Sequence, residues 1–186
     1  MKRLFLPILI LCFVFKLPGQ NNVKFTTYYD HDGKKAYYLV WDTKTGKSVQ
    51  YYWNTSKTRW ESFEINLPAD PLPGEKEAIG MEVVYNAADK KAYYLIWDTK
   101  TGRSMQYYWS TAKTKWESFE INLPASPLPG ATGEICMKIY LDSHDNKLYY
   151  IVWDSNSGKS IQYYWNPSKT RWDSFEINLP ASPLTK

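Results

Sequence analysis

The sequence predicts an all-β fold built as three tandem four-stranded antiparallel meander sheets. Three observations lead there. One block recurs at a fixed spacing: Trp41, Trp97 and Trp153 lie 56 residues apart and open the stretches WDTKTGKSVQYYW, WDTKTGRSMQYYW and WDSNSGKSIQYYW. The nine tryptophans of the chain all occupy three repeated positions, the other two being Trp53/Trp109/Trp165 and Trp60/Trp116/Trp172. Self-similarity at such a period marks a repeat architecture. Within each block, four runs rich in Val, Ile, Thr and aromatics are separated by turn residues, and none carries a convincing helical period.

The chain opens with a segment outside the fold. Lys2 and Arg3 precede an apolar run from Leu4 to Phe15, which Leu17-Pro18-Gly19 ends. Residues 1–19 therefore read as a secretory signal peptide cleaved near Gly19, with a run too short to span a bilayer. The mature chain is expected to be secreted, periplasmic or held at the cell surface. It keeps 20 basic and 19 acidic residues, a balance that implies no nucleic-acid partner. Cys136 is its one cysteine. It reads as a small buried hydrophobe, with no disulfide inside the monomer.

The repeats then run over 20–74, 75–130 and 131–186, ending in LPADPLPG, LPASPLPG and LPASPLTK. Proline in these stretches favours extended linkers. In the first repeat the four strands are expected at Val23–Asp30, Lys34–Thr43, Lys47–Trp53 and Arg59–Leu67. A three-residue loop with Gly46 left-handed would pair Trp41 with Val49, Leu39 with Tyr51 and Tyr37 with Trp53. The same loop at Gly33 would set Phe25 against Leu39 and Val23 against Trp41. A five-residue loop over 54–58 would pair Trp53 with Arg59 and Tyr51 with Glu61. A four-residue loop is the alternative, but it would expose Phe63 and Ile65.

Side chains alternate across a strand, so these pairings sort residues onto two faces. The expected core face carries Val23, Phe25, Leu39, Trp41, Val49, Tyr51, Trp53 and Phe63. The other face is polar apart from an aromatic row, Tyr38, Tyr52 and Trp60. Such a sheet cannot bury its apolar face alone, so the three sheets must pack on one another or on a second copy of the chain.

The stretch YYWNTSKTRWESFEINLPADPLP resembles the second half of a kelch-type β-propeller blade, with its aromatic strand, Asn turn, following Trp and Leu-Pro exit. The resemblance covers about 25 residues of each repeat. It departs at the second strand, where Val40-Trp41-Asp42 stands in place of the family's glycine pair. The resemblance implies propeller-blade-like sheets. Three blades do not close a propeller, for which four to eight are usual. A homodimer of two three-sheet arcs would make a six-bladed ring. A β-prism-like arrangement of three sheets is the architectural alternative.

The aromatic row, with Gln50 beside it, is the candidate ligand site: Tyr38, Gln50, Tyr52 and Trp60, then Tyr94, Gln106, Tyr108 and Trp116, then Tyr150, Gln162, Tyr164 and Trp172. Flat aromatic faces with a few placed polar groups suit a sugar ring. The competing reading is that the row packs against a neighbouring sheet. Asp42, Glu61 and Glu64 recur in each repeat, with Asp173 in place of Glu61 in the third. A glycoside hydrolase needs two carboxyls at a set separation, but three equal active sites in one small domain argue for solvated charges. The two histidines sit in turns, and no metal or cofactor is implied. From Lys35 to Gly74, 24 of 40 positions are identical in all three repeats, whereas VKFTTYYD, IGMEVVYN and ICMKIYLD differ almost throughout. The first strand therefore reads as free to vary outside its core positions, and a shared site belongs on strands two to four.

The function expected is a secreted, non-catalytic, multivalent binding module for carbohydrate or a cell-surface polymer. The alternative is a structural or interaction repeat protein that self-assembles or docks on a surface partner, with a hydrolase last.

Overall fold

The computed structural model describes residues 22–30, 34–64, 67–68, 70–110, 113–121, 123, 127–142, 144, 147–166 and 168–177, with side chains except at 63–64, 119–121 and 175–177. The signal peptide expected over 1–19 lies outside these residues. Sheet 1 comprises β1 (Val23–Asp30), β2 (Lys35–Asp42), β3 (Ser48–Asn54) and β4 (Arg59–Glu64). Sheet 2 comprises β5 (Ile79–Asn86), β6 (Lys91–Asp98), β7 (Ser104–Ser110) and β8 (Lys115–Ile121). Sheet 3 comprises β9 (Ile135–Asp142), β10 (Lys147–Asp154), β11 (Ser160–Asn166) and β12 (Arg171–Ile177). Each is an antiparallel meander in chain order, and the described residues contain no helix. The expected fold class stands.

The register corrects the expectation at all three hairpins. Thr26, not Phe25, faces Leu39, and Lys24, not Val23, faces Trp41. Ser48 faces Trp41, Gln50 faces Leu39 and Tyr52 faces Tyr37. Trp60 faces Trp53 and Ser62 faces Tyr51. One cause serves all three. Every hairpin of sheet 1 turns through four residues, and the last of them is left-handed: Lys34 at φ 49°, Gly46 at φ 73° and Thr58 at φ 51°. Gly46 has the conformation expected of it, but in a loop one residue longer, closed by Asp42 N–H donating to the Lys47 carbonyl at 2.9 Å.

A capping residue at the ends of β2 and β3 sets this length there. The Asp42 carboxylate accepts from the N–H groups of Lys44 (3.0 Å) and Thr45 (2.7 Å), and the Asn54 side-chain Oδ1 accepts from Lys57 N–H (3.1 Å). These are side-chain-to-backbone turns of the Asx kind. Asp98, Asp154, Asn86, Asn166 and Ser110 do the same in the other sheets. Shifting one hairpin by one residue turns a strand over. Three successive shifts leave β2 and β4 on their expected faces and reverse β1 and β3.

Two faces result. The front face carries Leu39, Trp41, Gln50 and Tyr52 in sheet 1; the back face carries Val23, Phe25, Tyr38, Tyr51, Trp53 and Trp60. Val23, Phe25, Tyr51 and Trp53, expected in the core, are instead exposed on the back of sheet 1.

The front of each sheet packs on the back of the next. Leu39 and Trp41 meet Ile79, Met81, Val83, Tyr94, Ile96 and Tyr107 in one buried cluster. Leu95 and Trp97 meet Ile135, Met137, Ile139, Tyr150, Val152 and Tyr163 in the other. At roughly 1.5–3 kcal/mol for each large apolar side chain buried, these two clusters are the main stabilising term. Between sheets, the first strands β1, β5 and β9 come closest to one another. The sheets thus diverge outward like blades, with two separate interfaces in place of the single common core of a prism.

The same bonds recur at both interfaces. The Trp41 indole N–H donates to the Ile79 carbonyl at 3.0 Å, and that of Trp97 to the Ile135 carbonyl at 2.9 Å. Gly80 lets Trp97 lie flat against the strand; a Cβ there would stand 2.2 Å from the indole. Ile79 N–H donates to the Thr43 carbonyl and Ile135 N–H to the Thr99 carbonyl, each at 2.6 Å. Tyr107 and Tyr163 donate to the carbonyls of Pro71 and Pro127, each at 2.7 Å, and so fasten the proline linkers beneath the sheets.

Candidate functional site

The register divides the expected aromatic row. Tyr38 and Trp60 share the back face and meet edge to face, with ring centroids 5.2 Å apart. Tyr52 and Gln50 lie on the front face, opposite Tyr37 and Leu39. Tyr108, Tyr164, Gln106 and Gln162 turn the same way in their sheets. The place expected for Tyr52 is taken by Tyr51 and Trp53.

The glutamines and second-strand tyrosines join sheets together. Tyr94 donates its hydroxyl proton to Gln50 Oε1 at 2.8 Å, and Tyr150 to Gln106 Oε1 at 2.5 Å. All four residues are buried. Burial pushes the Tyr94 phenol up to about 12 and raises Tyr150 as well, so both remain neutral donors. Gln50 Nε2 donates onward to the Tyr28 hydroxyl at 2.9 Å. In sheet 2 the residue equivalent to Tyr28 is Val84, and Gln106 Nε2 has no partner among the described residues. In sheet 3, Gln162 is only half-buried.

What repeats on the surface is a different tryptophan. Trp53, Trp109 and Trp165 are 41%, 39% and 41% exposed. Each is braced edge-on by the tryptophan paired with it on the fourth strand, Trp60, Trp116 or Trp172, at 5.5 Å. Trp116 and Trp172 are themselves half-buried against the two core clusters. Trp60, with no sheet behind it, is 52% exposed.

On the front of the same hairpin lies a polar cluster. Glu61 accepts from Tyr52 (2.5 Å), Asn54 (2.9 Å) and Lys57 (2.6 Å). The bonds from Lys57, Tyr52 and Asn54, in that order, hold its carboxyl at about 2. Lys35 lies over the Tyr52 ring at 5.0 Å, a cation–π contact. The cluster recurs as Tyr108, Lys113 and Glu117, and as Tyr164, Asn166, Lys169 and Asp173. A shallow recess along β4 brings the two sides of this edge together, lined by Tyr52, Arg59, Trp60, Glu61 and Ser62.

Chemically, this edge offers flat rings beside fixed charges and hydroxyls. Glu61 is ionised and fully engaged, so it holds no proton to donate near neutral pH. Asp42 is spent on its own turn, on the face opposite Glu61. His144 N–H donates to Asp142 at 2.8 Å, as in a hairpin turn. The turn at His31 lies outside the described residues. Cys136 is half-buried on the front of sheet 3, opposite Trp153, and burial raises its thiol.

The exposed Trp53 set was missed because one register decision per hairpin decides each face. The signal that reveals it is Asp30, Asp42 and Asn54, spaced 12 residues apart as the final residues of three successive strands. No family model matches the chain, and no curated protein matches it in sequence.

Proposed function

We propose that the protein is a secreted, non-catalytic, multivalent binding module whose ligands are carbohydrates. The observation that carries this reading is the threefold Trp53, Trp109 and Trp165 set, exposed to nearly the same extent in every sheet and held rigid by a second indole. A large, pre-oriented aromatic plane offers apolar area at little entropic cost, and sugars present matching C–H faces. Tyr52, Arg59, Glu61 and Ser62 border the first of these edges and supply hydroxyl-binding groups. Equivalent sites on one rigid body gain by avidity on a polymer that spans them. The leader at residues 1–19 supports export, and the engaged Glu61 supports binding without catalysis. The blade-like sheets are compatible with the kelch-type resemblance of YYWNTSKTRWESFEINLP.

The experiment is retention of the mature protein on a panel of insoluble polysaccharides, beside the triple variant Trp53→Ala/Trp109→Ala/Trp165→Ala. The wild type should be retained on at least one polymer and the triple variant should pass through, with the circular dichroism of both showing folded sheets. A folded wild type that binds no glycan, or a triple variant retained equally well, would count against the proposal.

A further inference from the structure

The chain presents two unmatched faces, and they are the two halves of its own internal contact. At each interface the preceding sheet offers its front and the following sheet its back. Among the described residues, nothing packs on the front of sheet 3 or on the back of sheet 1. On the front of sheet 3, Trp153 occupies the place of Trp41 and Trp97, yet its indole N–H has no acceptor among the described residues. Gln162 stands where Gln50 and Gln106 accept a tyrosine proton, and among the described residues no tyrosine donates to it. On the back of sheet 1, Val23 stands where Ile79 and Ile135 supply a carbonyl, and Tyr38 where Tyr94 and Tyr150 supply a hydroxyl.

The apolar content follows the same division. Leu39, Leu95, Trp41 and Trp97 are buried, whereas Ile151 and Trp153 at the same front positions are half-buried. Ile79, Met81 and Ile135, Met137 are buried, whereas Val23 and Phe25 at the same back positions are 45% and 69% exposed. An exposed apolar sheet face of this extent marks an interaction surface. The occupant that offers the missing donors and acceptors in the right order is this chain itself.

We infer that two copies of the chain dock head to tail, the front of sheet 3 in each receiving the back of sheet 1 in the other, and close a ring of six sheets. The new contact would reproduce the internal one: Trp153 N–H to the Val23 carbonyl of the second copy, and the second copy's Tyr38 hydroxyl to Gln162. A head-to-tail contact either closes or propagates as a filament. Three sheets per chain reach the usual propeller range of about four to eight only at two copies. The rim tryptophans are compatible with closure. Trp109 and Trp165 stay near 40% exposed on sheets whose backs are already covered, so covering sheet 1 leaves Trp53 open. The ring would present six equivalent edges. This inference rests on the end faces and not on sugar binding, so either can fail alone.

The test is the mass of the mature protein by light scattering coupled to size exclusion at micromolar concentration. Two copies are expected. Phe25→Glu alters a side chain that touches solvent and should yield single copies with unchanged far-ultraviolet circular dichroism. Trp153→Arg, on the other face, should do the same. Mixing the two variants leaves one intact contact between unlike chains and should restore a two-copy species. A single-copy wild type, assemblies larger than two, pairing that survives Phe25→Glu, or a mixture that stays single would each overturn the inference.

Discussion

Trp97→Phe tests whether the repeated indole bond holds neighbouring sheets together. The Trp97 N–H reaches the Ile135 carbonyl at 2.9 Å in a buried site. Phenylalanine keeps a ring there but leaves that carbonyl without its donor, which costs about 1–3 kcal/mol. The smaller ring also leaves a void, adding about 1 kcal/mol. The sum, about 2–4 kcal/mol, corresponds to a melting temperature lower by roughly 5–15 °C in a domain of this size. Trp41→Phe should cost as much, since its bond to Ile79 is equivalent. Trp153→Phe supplies the control, because its indole has no acceptor among the described residues. Measured in the Phe25→Glu background, where chains stay single, it should cost less than about 1 kcal/mol. The assay is thermal and urea unfolding of the three variants followed by tryptophan fluorescence. A Trp97→Phe protein within about 1 kcal/mol of the parent would refute the assignment. Equal losses at all three positions in the single-copy background would refute it too, since the bond could not then be the cause.

Two further predictions concern charge. Burial raises the Asp154 carboxyl, but N–H groups of Thr132, Ser157, Asn156 and Gly133 outweigh it and hold the group at about 2. Its folded value lies below the unfolded one of about 3.9, so the stabilisation is complete above roughly pH 4 and is lost as pH falls toward 2; Asp154→Asn should flatten the acid limb of stability against pH, and an unchanged limb would exclude this role. Glu82 is buried and accepts from Thr26 at 3.0 Å and from Lys138 at 2.6 Å. Glu82→Lys should cost about 3 kcal/mol or more by setting two cations together, and Lys138→Glu added to it should recover much of the loss; a double variant no better than the single would show that the pairing is not what matters.

Much of the fold was legible because its signals are redundant. Nine tryptophans at three positions announce three sheets, and the strand limits follow from β-rich runs between turn residues. The faces were not legible from the same marks. Thr58 and Lys34 take up a left-handed conformation that glycine normally signals, so Gly33 misplaces the first turn, and the five-residue loop at 54–58 follows only from keeping Phe63 and Ile65 on the buried face. Expecting the most apolar residues to share a face also misled. It assumes one buried face per sheet, whereas sheet 2 buries both, with Leu95 on one side and Ile96 on the other. When both faces are buried, hydrophobic alternation no longer identifies the inside, and only turn geometry can. The candidate site suffered most, because a one-residue shift exchanges Trp53 for Tyr52.

The divergence of the first strand also takes on a different meaning. Read from sequence, VKFTTYYD, IGMEVVYN and ICMKIYLD looked free to vary beside 24 identical positions elsewhere. In the structure these strands are the ones that approach each other across the sheet boundaries. Thr26, Glu82 and Lys138 occupy one repeat position, and they touch: the threonine and the lysine both donate to the glutamate. Identical residues could not do this. Three glutamates would set like charges in contact in a half-buried place, and three lysines would do the same. The bonds that β2 and β3 make across the sheet boundary join non-equivalent partners, as Gln50 meets Tyr94 and Trp41 meets Ile79, so a repeated block satisfies them unchanged. Duplication therefore leaves the outer strands compatible with identity and sets the inner ones against it. The variable strand is the place where each repeat meets its own counterpart, and its variation is a requirement of packing.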